Sequence, residues 1–366
     1  CIRLYGKKDL HKGEKMKITI VLPWYDNNMP SGGILNVYGY AKRLADKGHI
    51  INIVYDCCKG KGKLRIPNYF SFLKRKRCTI SKQKLINSNI TEIPVFDVNN
   101  DTIPDADFVF ATALVTVFGV EKLSARKGKK VYFIQGFENW GKTDKEIFST
   151  YSLGMINITV SKWLFDLVSE HSKKKTYYLP NAIDDVFSVK NPIENRIEKS
   201  IGFMYVPIKS KGTYDLLNAL DYVHKKNPDV IVEGFGIYPP SDDIPSYVKY
   251  TYCPSRQELE KLYNRCSVFV CASWLEGFGL TAAESMKCGC CLVTTDCKGV
   301  LDFAIDKKTA FICEPRNIKQ LSEKINYIIN NKEERIKIAK AGEEMIKKFS
   351  WENAINEIER ILNSNQ

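Results

Sequence analysis

The sequence offers little that would serve a metal centre, a membrane span or a repeat. Its four histidines, His11, His49, His171 and His224, include no pair at ligand spacing. The one cysteine cluster, Cys288-Gly289-Cys290-Cys291, has no histidine nearby and is spaced poorly for tetrahedral ligation. It reads as reduced thiols at a helix-to-strand turn. Cys253, Cys266, Cys271 and Cys313 sit in or beside apolar runs, where cysteine behaves as a small buried hydrophobe. No stretch approaches the roughly 18 apolar residues of a membrane helix. Residues 1–15 are polar, lack the apolar segment of a secretory signal and precede Met16. They read as a vector-derived tail outside the fold. There is no repeat at solenoid period.

Acidic residues are missing from one densely basic stretch. Residues 59–84 carry ten Lys or Arg and no Asp or Glu, and residues 1–15 carry five basic residues against two acids. The other 325 residues hold 40 of each sign, so the formal charge of +13 is local. A chain that wraps nucleic acid is basic over a broad face, which makes that class of partner a poor match. Within the basic stretch, Tyr69, Phe70 and Phe72 adjoin Lys74, Arg75, Lys76 and Arg77. Aromatic residues beside a cation cluster suit an anionic membrane surface. The reading is of a cytoplasmic protein docked peripherally at the inner face of a membrane.

What is present is an alternation of short β-branched strands with helical segments over 366 residues, a length for about two domains. Strands are predicted at 17–25, 49–55, 93–97, 108–111, 131–135 and 156–160, with helices following the Ser31-Gly32-Gly33 loop, over 114–126 and over 161–171. After a polar stretch at 188–198 the pattern restarts, with strands at 199–206, 230–234, 248–252, 268–272, 292–295 and 310–313. Helices are predicted at 212–226, 255–265, 281–287, 318–349 with a break near Asn331, and 351–362. The fold class is α/β: two doubly wound, Rossmann-like domains, 16–187 and 188–348, with a last helix over 349–366 expected to cross back to the first. In such sheets ligands bind beyond the carboxyl ends of the strands.

The most specific segment is Ser273-Trp274-Leu275-Glu276-Gly277-Phe278-Gly279-Leu280-Thr281-Ala282-Ala283-Glu284. A strand ends, a glycine turn follows and a helix begins. A helix start presents unpaired N–H groups to a phosphate, and the glycines let backbone approach a ligand closely. The second glutamate, on the helix, suits the vicinal hydroxyls of a ribose.

With this segment in place the chain resembles the retaining glycosyltransferases of family 4, over nearly all of its length from Met16. Other matching motifs are Pro23-x6-Pro30-Ser31-Gly32-Gly33, Lys47-Gly48-His49, Val160-Ser161-Lys162-Trp163, Leu179-Pro180-Asn181, Lys211-Gly212, Gly234-Phe235-Gly236 and Met286-Lys287-Cys288-Gly289. The resemblance implies a GT-B fold and transfer of a sugar from a nucleoside-diphosphate sugar to a glycan or lipid-linked acceptor. It implies no cofactor and no metal. Glu284 would hold the ribose and Glu276 the donor sugar. The backbone of Gly277, Phe278, Gly279, Leu280 and Thr281, with Gly32, Gly33 and Gly234, would line the donor, and Lys211 would neutralise the diphosphate. Two departures stand out: Tyr205 lies where the family often has an arginine, and Gln135-Gly136-Phe137-Glu138 replaces a segment that often bears a histidine. Lys209 is a candidate for the missing charge and Glu138 for a catalytic base or sugar ligand. The alternatives are a nucleotide-sugar epimerase or hydrolase on the same fold, and an inactive partner subunit. Asp105-Ala106-Asp107 resembles a metal-binding D-x-D but reads more simply as a strand start.

Overall fold

A computed structural model of the protein describes residues 14–23, 31–56, 87–139 and 141–366. Tyr69, Phe70, Phe72, Lys74, Arg75, Lys76 and Arg77 lie outside the described residues, as does nearly all of the segment 1–15.

The chain alternates strands and helices as its pattern implies. The strands are β1 (Lys17–Leu22), β2 (Ile50–Asp56), β3 (Ile90–Val95), β4 (Phe108–Ala111), β5 (Lys129–Ile134), β6 (Ile156–Thr159), β7 (Thr176–Tyr178), β8 (Ser200–Met204), β9 (Ile231–Gly236), β10 (Val248–Tyr252), β11 (Val268–Cys271), β12 (Cys291–Thr295) and β13 (Ala310–Cys313). The described helices are α1 (Gly32–Asp46), α2 (Leu114–Glu121), α3 (Asp144–Tyr151), α4 (Lys162–His171), α5 (Thr213–Lys226), α6 (Arg256–Arg265), α7 (Leu280–Lys287), α8 (Ile318–Ile329), α9 (Lys332–Ile346) and α10 (Trp351–Asn363).

The pattern missed β7 and α3. β7 is only three residues long and follows a lysine run. α3 is announced by a capping box, in which the Thr143 side chain accepts from the Glu146 amide and Glu146 reaches back. The helix predicted over 114–126 ends at Glu121, and a short 3₁₀ turn, Ala125–Lys127, leads into β5.

Two sheets result, in the orders β3-β2-β1-β4-β5-β6-β7 and β10-β9-β8-β11-β12-β13. β1 pairs in parallel with β2 and β4, and β8 with β9 and β11. The strand order therefore reverses beside β1 in one sheet and between β8 and β11 in the other, the places where open α/β sheets leave a crevice. Strands covered on both faces are mainly apolar, and every residue of β4, β6, β11 and β12 is buried, with Asn157, Thr159, Thr294 and Thr295 the polar residues among them.

Two compact units can be distinguished, one of residues up to 25, 37–131 and 358–366, the other of 26–36 and 132–357. In the first, Glu359 of α10 accepts from Lys47 at 2.5 Å and bonds His49 at 3.0 Å. In the second, Phe278 packs against Phe303 and Phe349 with ring centroids 5.3 and 5.5 Å apart. Among the described residues, no helix is long and apolar enough to cross a membrane.

Candidate active site

The strand-turn-helix segment lies in the second unit, and its parts can be followed from β11. The chain leaves the sheet at Cys271, and the Ser273 hydroxyl donates to Glu276 Oε1 at 2.7 Å. Lys211 Nζ donates to both carboxylate oxygens of Glu276, at 2.8 and 2.9 Å. Burial opposes the Lys211 ammonium, but the charge and hydrogen bonds of Glu276 outweigh it and hold the lysine protonated above its ordinary range.

Lys211 reaches this position because Gly212 follows it. Gly212 adopts φ +62°, and a Cβ there would fall 1.9 Å from the Ala272 carbonyl oxygen. The two turns that end β8 and β11 thus touch through bare backbone.

The turn after Glu276 is held on several sides. The Glu276 amide donates to Cys297 O at 2.9 Å. The Trp163 indole N–H, at the start of α4, is shared between the carbonyls of Glu276 and Gly277, at 3.0 and 3.1 Å. A Cβ on Gly277 would lie 2.0 Å from Gln135 O, so the end of β5 rests directly on this glycine. Gly32 abuts Leu280, and Gly33 faces the Gln135 amide. Gln135 Oε1 is buried without a hydrogen-bond partner among the described residues.

Gly279, at φ +93°, turns the chain into α7. The amides of Gly277, Phe278 and Gly279 donate to no acceptor among the described residues, and Ala283 is the first to bond back, to Gly279 O. The first three amides of α7 are unpaired by helix geometry. A continuous row of backbone donors therefore starts beside the Lys211–Glu276 pair.

Glu284 lies on the second turn of α7 and is 8 % exposed. Burial raises its pKa to about 7; Arg256, 3.6 Å away, pulls it down and Asp184 pushes it up. Arg256 also pairs with Asp184 at 3.3 Å and stacks over the Phe187 ring.

The remaining candidates are spread around and beyond this segment. Gly234 is inside β9, where a Cβ would come within 2.8 Å of the Phe203 ring. Thr281 is half-buried in the first turn of α7. Glu138 lies beyond β5 and, after burial itself, helps raise the phenols of Tyr132 and Tyr151. Tyr205 is buried, and its hydroxyl bonds Ser241 at 2.6 Å. Lys209 stands over the Trp274 ring at 5.8 Å, with Arg316 over the same ring at 4.0 Å. Asp105 pairs with Arg126 and Lys127, and Asp107 accepts the Lys17 amide, so the D-x-D anchors strand starts. Sequence reasoning assigned no role to Trp163, Ser273, Arg256 or Cys297. Trp163 and Ser273 carried a signal, as members of Val160-Ser161-Lys162-Trp163 and of the segment Ser273–Glu284, and Arg256 and Cys297 carried none.

The strand-turn-helix thus brings together unpaired amides, a paired lysine and a buried carboxylate on a doubly wound sheet. Residues 246–345, which contain the Ser273–Glu284 segment, match the family described as glycosyl transferases group 1. The chain is 27% identical over 212 residues to an uncharacterized glycosyltransferase of Methanocaldococcus jannaschii, covering 56% of this chain and 58% of that protein. It is 26% identical over 210 residues to the N,N'-diacetylbacillosaminyl-diphospho-undecaprenol alpha-1,3-N-acetylgalactosaminyltransferase of Campylobacter jejuni, covering 55% and 50%. The chain spans about half the length of these curated relatives. HepE of Anabaena, solved in complex with UDP-glucose, superposes with a TM-score of 0.71 at 15% identity, over 95% of this chain and 100% of that one. The fold is GT-B.

Proposed function

We propose that the protein is a retaining glycosyltransferase that moves a sugar from a nucleoside-diphosphate sugar to a glycan or lipid-linked acceptor, without a metal. The observation that carries this reading is the Lys211–Glu276–Ser273 network at the head of a row of unpaired amides.

In this reading the diphosphate lies against the amides of Gly279 and Leu280 and beside Lys211, with Gly32 and Gly33 against its far side. Glu276 orients the sugar hydroxyls and Glu284 accepts from the ribose. When the anomeric C–O bond breaks, its electron pair stays on the diphosphate and the sugar becomes cationic. Fixed donors aimed at that growing negative charge lower the barrier most where water is excluded. The acceptor hydroxyl then forms the new C–O bond and gives up its proton, for which the departing diphosphate oxygen is the nearest base. Retention follows if acceptor and leaving group share one face of the sugar. Glu138 is the reserve candidate for contact with a sugar hydroxyl.

The basic, aromatic stretch at 69–77 suits an acceptor anchored in an anionic membrane. The Campylobacter relative, named for a diphospho-undecaprenol acceptor, supports that direction.

The test is a thermal-shift screen against nucleoside-diphosphate sugars, followed by product analysis with and without acceptor. A ligand that binds only the folded state raises the midpoint. Glycoside formed with an inverted anomer overturns retention. Donor consumed without glycoside favours hydrolysis or epimerisation.

A further inference from the structure

We propose that Trp163 is a positioning residue of this site, aiming the amides of Gly277 and Phe278 at the bound donor. The inference rests on the glycosyl-transfer reading and adds a residue to it from α4, on the first sheet.

The geometry is specific. One indole N–H is shared by two consecutive carbonyls, Glu276 O at 3.0 Å and Gly277 O at 3.1 Å. A peptide unit is planar and trans, so its C=O and N–H point in opposite directions. Fixing the carbonyl of Glu276 therefore fixes the amide of Gly277, and fixing that of Gly277 fixes the amide of Phe278. Neither amide has an acceptor among the described residues. The indole turns both away from itself.

Glycine makes such a clamp necessary. Gly277 has no side chain to restrict its rotation, and none can be added, because Gln135 O occupies that space. The peptide is free to flip unless something outside the turn holds it.

The indole is itself anchored. The amide of Lys162 donates to both oxygens of Asp302 at 3.1 Å, and the Tyr178 hydroxyl donates to Asp302 at 2.8 Å. Asp302 ends the turn Gly299–Asp302, whose first residue packs against the Phe278 amide nitrogen and Glu276 O. Trp163 and the turn it clamps are thus tied together twice.

Backbone donors strengthen as charge develops on the leaving group, so their misalignment should lower kcat more than it raises KM for the donor. The experiment compares wild type with Trp163→Phe and with benzothienylalanine at position 163, which keeps the ring shape and loses only the N–H. The readouts are steady-state transfer with the donor found in the screen, calorimetric binding of UDP and pyrophosphate, and hydrogen exchange of the peptide spanning 274–286. The proposal expects kcat to fall by about tenfold to a hundredfold with donor KM changed less than about threefold. It also expects faster exchange at the Glu276 amide in both variants.

Unchanged exchange overturns the proposal. So does faster exchange with kcat unchanged, which would make Trp163 a packing residue only. If Trp163→Phe fails to fold, the isosteric variant decides. If wild type binds and transfers nothing in the screen, the glycosyl-transfer reading fails on its own evidence, while hydrogen exchange still tells whether the indole orders the turn.

Discussion

Around the carboxyl ends of the second sheet, Lys211, Glu276, Arg256 and Glu284 form one charged pair and one near-pair. Around those of the first sheet, Gly32, Gly33 and Gln135 offer bare backbone and a neutral amide, and Asn36 bonds Asn181. Glu138 is the exception, a carboxylate beside Tyr132 and Tyr151. On the proposed function the contrast is a division of labour: the second sheet would supply the charge that answers a leaving diphosphate, and the first would supply shape and close approach.

The largest expected effect attacks the placement of that charge. Gly212→Ala puts a Cβ 1.9 Å from Ala272 O on a backbone at φ +62°, so the turn must move. We expect a loss of roughly 4 kcal/mol in denaturant unfolding, or a chain that does not fold. A stable Gly212→Ala variant with wild-type transfer would show that the Lys211 turn need not sit there.

Next comes the charge itself. Lys211→Ala should lower kcat by about 10²–10³, the scale for losing one donor to a developing anion, while the fold survives. The double variant with Glu276→Ala should cost far less than the product of the singles, since the two act as one unit. A second-sheet loss no larger than that from Glu138→Gln would reverse the division of labour.

The third test uses pH. Folded Glu284 keeps its proton up to about 7, whereas the unfolded carboxyl releases it near the ordinary glutamate value of 4.5. Between those values the folded state binds more protons, so stability falls as pH rises through the window and levels off above it. The drop is up to about 3 kcal/mol, read as the difference between wild type and Glu284→Gln in urea at pH 5 and pH 8. Parallel pH profiles for the two proteins would mean that Glu284 is already ionised at pH 5.

The smallest effect belongs to the first sheet. Gln135→Leu removes a buried oxygen that has no partner among the described residues, so stability should change by less than about 1 kcal/mol. Transfer should fall by about fivefold, the worth of one neutral hydrogen bond to a donor hydroxyl. A loss as large as that from Lys211→Ala would place chemistry on the first sheet as well.

Much of the fold was legible because β-branched runs and glycine stops repeat along the chain. β4, β10 and β13 fall at their predicted bounds, and the break near Asn331 separates α8 from α9. β7 escaped because Thr176–Tyr178 is too short for periodicity to register, and α3 because eight residues give barely two turns of apolar pattern, leaving the capping box as its main signal. At the site, Glu276, Gly279 and Glu284 were legible as local spacing on one strand-turn-helix. Trp163 was not, because its partners lie 113 and 114 residues away and are carbonyls, which every residue has. Arg256 was hidden likewise: only the fold shows that it pairs with Asp184 and approaches Glu284. The absence of an arginine at 205 has a local account, since the tyrosine there is buried and tied to Ser241.

The Lys211–Glu276 pair has a consequence for how a donor arrives. A cation already neutralised by its neighbour casts little field beyond the site, and what remains is screened within about 8 Å at physiological ionic strength. The pair itself should therefore add little to the steering of an anionic donor, and discrimination at Lys211 should begin only at contact, when the diphosphate competes with Glu276 for the ammonium.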